Sequence, residues 1–273
     1  MRIDLLSTDA RAKSAARILA LDRRHTVRSG VLFSGQDTPP DILTLPIPVT
    51  RDGQTLTDTP YTLEDCQKAL LRAAKKTTVL GYGPCPAPLI APEYRDLSKD
   101  EIFVSANAEL TAEGGMMLLY QALSAQGLSL YGTLAVILGY GRIARAMAAR
   151  LSVSGAEILI GARRHEAREA ARKEGYLSYD CTDPRFFSER GRFLFADRTH
   201  VLINTVPSPD VIAPTSLIPH PFCALELSGK SDVLSACQSL PYPTLDGKSI
   251  PTRFFPESAG ALLAQAILRY CHR

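Results

Sequence analysis

The chain has 273 residues, long for one compact domain and enough for two at roughly 100–200 residues per domain. With 45% hydrophobic and 22% charged residues its usage is ordinary for a globular protein, which argues against extended disorder. No apolar run nears the roughly 18–20 residues of a membrane span. The first 13 residues carry Asp4 and Asp9 instead of a signal-peptide core, and a net charge of +3 is too mild to point to nucleic acid. These features predict a cytoplasmic protein with neither membrane nor nucleic acid as partner.

A short strand is predicted at residues 3–6, followed by the loop Ser7-Thr8-Asp9-Ala10-Arg11 and an alanine- and arginine-rich helix to about Leu21. Arg17, Arg23, Arg24 and Arg28 read as a solvated basic face and its exit. Strand-like runs follow at 30–33, 42–45 and 77–80, with a helix pattern at 63–75 before the last, and the proline-rich segment 81–98 reads as irregular. A helix from Thr111 to about Gln126 stops at Gly127. Then come a strand at 133–138, a glycine turn, a helix at 142–154 and a strand at 157–160; Ile143, Met147 and Leu151 give that helix one buried stripe. Strands at 200–206 and 222–227 and an amphipathic helix at 257–270 complete the pattern. Strand alternating with helix predicts an open parallel sheet.

Six cysteines (Cys66, Cys85, Cys181, Cys223, Cys237, Cys271) include no C-x-x-C pair and read as reduced, mostly packed thiols. The five histidines close no metal-ligand spacing, so no metal is expected. Gly247-Lys248-Ser249 is not a phosphate-binding lysine loop, because the glycine required five residues earlier is Tyr242. Leu80-Gly81-Tyr82-Gly83 repeats the words of Leu138 to Gly141, but Pro84 and Pro86 break any helix start there.

Gly139-Tyr140-Gly141-Arg142-Ile143-Ala144 is G-x-G-x-x-A set between a strand and a helix. The first glycine permits the tight turn, the second lets a pyrophosphate approach the backbone, and a small third residue lets the helix pack on the strand. The free amides of the first helical turn would face the phosphates. The end of the second strand selects the cofactor. NAD sites place Asp or Glu about 20 residues beyond the first glycine, whereas this chain reads Gly161-Ala162-Arg163-Arg164. Two guanidiniums and no carboxylate predict binding of a 2′-phosphate, hence NADP. Asn204-Thr205-Val206-Pro207 closes a later strand, and its polar side chains are candidates for hydrogen bonds to nicotinamide or ribose.

Together these residues resemble the family of dipicolinate synthase A chains. The likeness runs from Asp9-Ala10-Arg11 through Thr111-Ala112-Glu113-Gly114, the glycine turn, Ile160-Gly161-Ala162-Arg163 and residues 203–208 to Ser258-Ala259-Gly260. The resemblance implies two Rossmann-like, doubly wound parallel-sheet α/β domains, as in the 2-hydroxyacid and alanine dehydrogenases, with an NADP cleft between them. It divides the chain into a substrate domain at 1–110, with the closing helix packing back on it, a linking helix at 111–127 and an NADP-binding domain at 128–256. It also implies that the partner is the flavoprotein-like B subunit of dipicolinate synthase. The implied substrate is of the dihydrodipicolinate type, oxidised to dipicolinate during sporulation on a branch of lysine biosynthesis. The sequence departs from the family at Glu226-Leu227-Ser228-Gly229, where the family has Asp-Leu-Ala-Ser, and at 247–255, which carries Arg253; the segment 186–198 is longer than usual.

Aromatising such a substrate requires a hydride acceptor, a base for one proton and cations or amides for two carboxylates. Arg11, matching the family's first loop, and Arg253 are the candidate carboxylate ligands, and Glu113 and Asp9 the candidate bases. Thr111 and Glu113 also suit an ordinary helix start. Two other readings stay open on the sequence: a shikimate-dehydrogenase-like NADP reductase, and a cofactor-binding protein whose chemistry resides in a partner. The oligomeric state is not fixed by the sequence.

Overall fold

Strands that read as short unbroken apolar runs must be covered on both faces, and the chain meets that need twice, with two all-parallel sheets. The computed structural model describes residues 1–34, 37–73, 76–183, 199–211, 221–240 and 242–271; the segment 186–198 lies outside them. The chain divides into two units, Met1–Asn107 with Pro251–Arg273, and Ala108–Ile250. Each is a doubly wound α/β sheet, as the alternating sequence pattern predicts.

In the first unit the sheet order is β2-β1-β3-β4-β5, with β1 at Arg2–Leu5, β2 at Thr26–Ser29, β3 at Ile42–Thr44, β4 at Thr78–Gly81 and β5 at Tyr94–Asp96. Ile3, Leu5, Ile42 and Leu80 enter one core with Leu19, Phe103, Leu263 and Ile267. Leu43 and Val79 enter the opposite one with Leu56, Leu63 and Cys66. That split follows the two-residue period of a strand. Helix α1 (Ala10–Ala20) starts at Asp9, whose carboxylate accepts from the Ala12 N–H at 2.7 Å, a cap that contributes about 1 kcal/mol. Helix α2 (Leu63–Arg72) starts from a Thr62/Asp65 capping box.

Helix α3 (Glu101–Ser124) supplies Phe103 and Val104 to the first unit and buries Ala112, Leu119 and Leu123 in its later turns. It begins ten residues before the predicted Thr111, because Asp100 accepts from the Phe103 N–H at 3.1 Å and is itself held by Arg269 at 2.6 Å. Thr111 and Glu113 therefore lie in mid-helix, which removes the helix-start reading of that pair.

Three other expectations change. The strand predicted at 30–33 lies at Thr26–Ser29, in register with β1, and Gly30 leaves it at φ +75°. Arg28 is not part of a solvated face: it sits on β2 and grips the fully buried Asp4 with Nη2 at 2.7 Å and Nε at 3.2 Å. Within 81–98, Tyr94–Asp96 form the edge strand β5, whose single neighbour asks for no apolar run.

The second unit's sheet order is β11-β10-β9-β6-β7-β8. Its strands are β6 (Leu134–Leu138), β7 (Glu157–Gly161), β8 (Leu177–Tyr179), β9 (His200–Asn204), β10 (Cys223–Glu226) and β11 (Thr244–Asp246). Counted within the unit this is 6-5-4-1-2-3, the order of dinucleotide-binding sheets. Its helices include α4 (Arg142–Val153), α5 (His165–Lys173) and α6 (Ser231–Gln238). Every residue of β6 and β9, the two central strands, is buried. A short helix, α7 (Ile250–Phe254), leads to α8 (Pro256–Cys271).

In the first unit α8 lies so close to α1 that a Cβ on Gly260 would stand 2.4 Å from Ser14 Cβ and 2.9 Å from the Ala15 nitrogen. Glu257 adds a hydrogen bond from Ser14 at 2.7 Å and an ion pair with Arg17. Gly260→Val must part the two helices, and we expect a loss of about 2–3 kcal/mol in urea denaturation; an unchanged midpoint would show that the helices do not meet at this glycine.

Candidate functional site

The turn after β6 is built around two glycines that are needed for different reasons. Gly139 has φ +91°, and a Cβ there would lie 2.7 Å from Thr205 Oγ1 and 2.9 Å from Val206 Cγ2, so conformation and packing both exclude a side chain. Gly141 has an ordinary φ of −85° and nothing within 4 Å of where a Cβ would stand. Neither backbone conformation nor a described neighbour requires glycine at 141; its missing side chain leaves the backbone open to approach. Ala144, the third small position, is fully buried. Helix α4 has no side-chain cap and no acidic residue in its first turn, so the amides of Arg142, Ile143 and Ala144 and the positive end of the helix are chemically suited to an anion. Tyr140 braces the turn: its hydroxyl donates to Glu174 at 2.6 Å, Arg145 lies 4.6 Å from its ring centroid, and Arg145 pairs with Glu174.

The end of β9 supports the same turn. The Thr205 hydroxyl and N–H both donate to the Leu138 carbonyl, at 2.7 and 3.1 Å. Asn204 is buried, and its amide is engaged locally: Nδ2 donates to the Val206 carbonyl at 3.1 Å and to Glu226 at 2.5 Å, and Oδ1 accepts from the Val206 N–H at 3.0 Å. Both amide hydrogens are thus committed within the protein, so Asn204 shapes the loop that carries Val206 and Pro207. Glu226 entered the sequence reading only as a departure from a family pattern. It is fully buried at the end of β10, and an acidic residue closing an apolar strand is the signal that could have marked it. Beside it, burial and the Glu226 carboxylate push the Cys237 thiol up to about 12, so it stays protonated.

At the end of β7, Gly161 faces the Tyr179 ring, which stands 2.7 Å from where a Cβ would be. Arg163 and Arg164 follow on the exposed surface, and among the described residues neither forms an ion pair. Arg168, which no sequence pattern singled out, fixes this loop by donating to the Ala162 and Arg163 carbonyls at 2.8 and 2.7 Å and to Asp180 at 2.8 Å. Gly139, Gly141, the first-turn amides, Asn204 to Pro207 and the two arginines therefore share the carboxyl edge of one sheet, around the point where strand order reverses between β6 and β9.

The first unit has its own reversal point, between β1 and β3, in the order 2-1-3-4-5. Here Arg11 is buried, its Nη2 donating to the Ile47 carbonyl at 2.9 Å and to Asp9 at 3.3 Å. Burial draws its guanidinium below the ordinary value, opposed by the Asp9 carboxylate. Thr44, at the end of β3, buries a hydroxyl without a partner among the described residues, and with Ser7, Asp9 and Arg11 it lines a cavity with room for about one water. Sequence reading missed Thr44, since a threonine ending a strand is unremarkable by itself. Glu113 is exposed on α3, and Arg253 lies on α7 with its guanidinium 4.4 Å from the Phe254 ring centroid.

No family model and no curated protein matches the chain. Among solved structures, the dipicolinate synthase A chain from Bacillus subtilis superposes with a TM-score of 0.76 at 17% identity, over 100% of this chain and 96% of that one. Its counterpart from Bacillus halodurans gives 0.72 at 18%, over 100% and 98%. The D-lactate dehydrogenase from Escherichia coli gives 0.55 at 14%, over 100% and 96%. The fold is that of the two-domain, Rossmann-like dehydrogenases.

The two glycines should separate cleanly in stability. Gly139→Ala is expected to cost about 1–3 kcal/mol in urea denaturation, from a left-handed φ and two close contacts. Gly141→Ala should stay within about 0.5 kcal/mol of the parent; equal losses would mean that both glycines serve the fold.

Proposed function

We propose that the chain is an NADP-dependent oxidoreductase of the dipicolinate synthase A type, converting a dihydrodipicolinate-type cyclic dicarboxylate to dipicolinate. The observation that carries the cofactor reading is Gly141, whose missing side chain leaves open space in front of an uncapped helix start. Supporting the substrate reading are the likeness in fold to the two Bacillus A chains over the whole length and the buried guanidinium at the first unit's strand reversal. Residues 128–256 form the NADP-binding part and 1–110 the substrate part in this reading.

Bound NADP would supply the hydride acceptor. The amides of Arg142, Ile143 and Ala144 would hold its pyrophosphate, Arg163 and Arg164 its 2′-phosphate, and the loop Asn204 to Pro207 would border its nicotinamide. Arg11 binds one substrate carboxylate, an oxygen of which takes the water-sized space beside Thr44, and Arg253 binds the other. Loss of the second hydrogen as a proton needs a base. Glu113 and Asp9 are the candidate bases; Asp9 already accepts from the Ala12 N–H and Arg11, which favours Glu113 for the role. A flavoprotein-like B subunit is the proposed partner and the cytoplasm of a sporulating cell the proposed setting; among the described residues no helix is long and apolar enough to cross a membrane.

Calorimetric titration with NADPH and NADH tests the cofactor, and incubation with the product of dihydrodipicolinate synthase plus NADP, read by terbium luminescence, tests the reaction. NADPH preference with dipicolinate formed is the expected result. Arg163→Ala should weaken NADPH binding about tenfold and leave NADH within twofold; equal losses would remove the 2′-phosphate assignment. Glu113→Gln should bind NADPH normally and lose turnover by about 100-fold, the usual scale of general-base catalysis; normal turnover would remove Glu113 as the base.

A further inference from the structure

Glu226 is 1% exposed and acts at both oxygens as an acceptor. Oε2 receives Asn204 Nδ2 at 2.5 Å and Cys237 Sγ at 3.5 Å, and Oε1 receives the Ser228 N–H. Among the described residues no lysine or arginine pairs with it. A buried acidic side chain must have its oxygens satisfied within the protein, and three donors converge on this one. The arrangement also dictates the neighbouring amide. Because a carboxylate only accepts, Asn204 must turn Nδ2 towards Glu226, which leaves Oδ1 for the Val206 N–H. Val206 in turn stands against Gly139. An uninterrupted chain of contacts therefore runs from Glu226 through Asn204 and Val206 to the glycine turn.

β6 to β8 form the first mononucleotide half of such a sheet and β9 to β11 the second, which serves the nicotinamide end. We infer that Glu226 is the positioning residue for the nicotinamide half of the bound dinucleotide, acting through the orientation of Asn204; the inference rests on the dinucleotide reading above. It gives the carboxylate a task in placing the ring that exchanges hydride, with no contact to the ligand itself.

Glu226→Gln tests this, because either orientation of the new amide sets its NH2 group against Asn204 Nδ2 or the Ser228 N–H. Asn204→Asp tests the same link from the other side, placing acceptor against acceptor. Affinities are read for NADPH and for 2′,5′-ADP, which carries only the adenosine half with its 2′-phosphate. Both variants are expected to lose about tenfold for NADPH and less than twofold for 2′,5′-ADP, while Glu226→Asp, still acceptor-only, stays within about threefold of the parent for both. Parent-like NADPH binding in Glu226→Gln or Asn204→Asp overturns the inference, as does an equal loss of both ligands, which would mark a purely structural role. Failure of the parent protein to bind NADPH, NADH and 2′,5′-ADP overturns the dinucleotide reading, and the inference falls with it.

Discussion

Gly139 must turn the backbone at φ +91° while Thr205 and Val206 press on the space where a side chain would be. That crowding couples the end of β9 to the start of α4. It makes the loop after Asn204 one wall of the glycine turn and fixes the direction in which the first amides of α4 point. Tyr140, held by Glu174 and overlain by Arg145, closes the turn from the other side. With both flanks filled by protein, Gly141 is left as an open approach to the backbone. The shape of the site follows from packing alone.

Much of this was legible in the sequence because the central elements obey strong local rules. Strand β6, its glycine turn and helix α4 carry an unbroken apolar run followed by a stripe at Ile143, Met147 and Leu151, and they lie within a residue or so of the sequence reading. Weaker elements were hidden where tertiary contacts replace local signals. β5 is a polar edge strand, and β2 is fixed by its pairing with β1 more than by its own residues. The first ten residues of α3 depend on Asp100, which is held by an arginine 169 residues away. Glu226 and Thr44 escaped for a related reason: each matters through neighbours brought in from other strands, and no spacing in one segment encodes that.

The two units solve the same problem with different strand orders, 2-1-3-4-5 and 3-2-1-4-5-6. In each, the reversal of order places a helix N-terminus beside the end of a neighbouring strand, and each site uses that junction differently. In the second unit the junction is bare backbone at an uncapped helix start. In the first it holds a buried guanidinium tied to Ile47 and Asp9, beside the Thr44 hydroxyl, which has no partner among the described residues. One architecture thus ends in open amides in one unit and in a rigidly held cation in the other.

The contact between Gly161 and Tyr179 bears on which side chains the end of β7 could acquire, an acidic one among them. Here a Cβ at 161 would run into the Tyr179 ring at 2.7 Å. The tyrosine would have to shrink before, or together with, the gain of a carboxylate. Its loss alone would open a hole in the core it shares with Leu159 and Cys181. Residue 161 can therefore grow only if residue 179 shrinks with it, so a packing detail on an outer strand restrains what the end of β7 can carry.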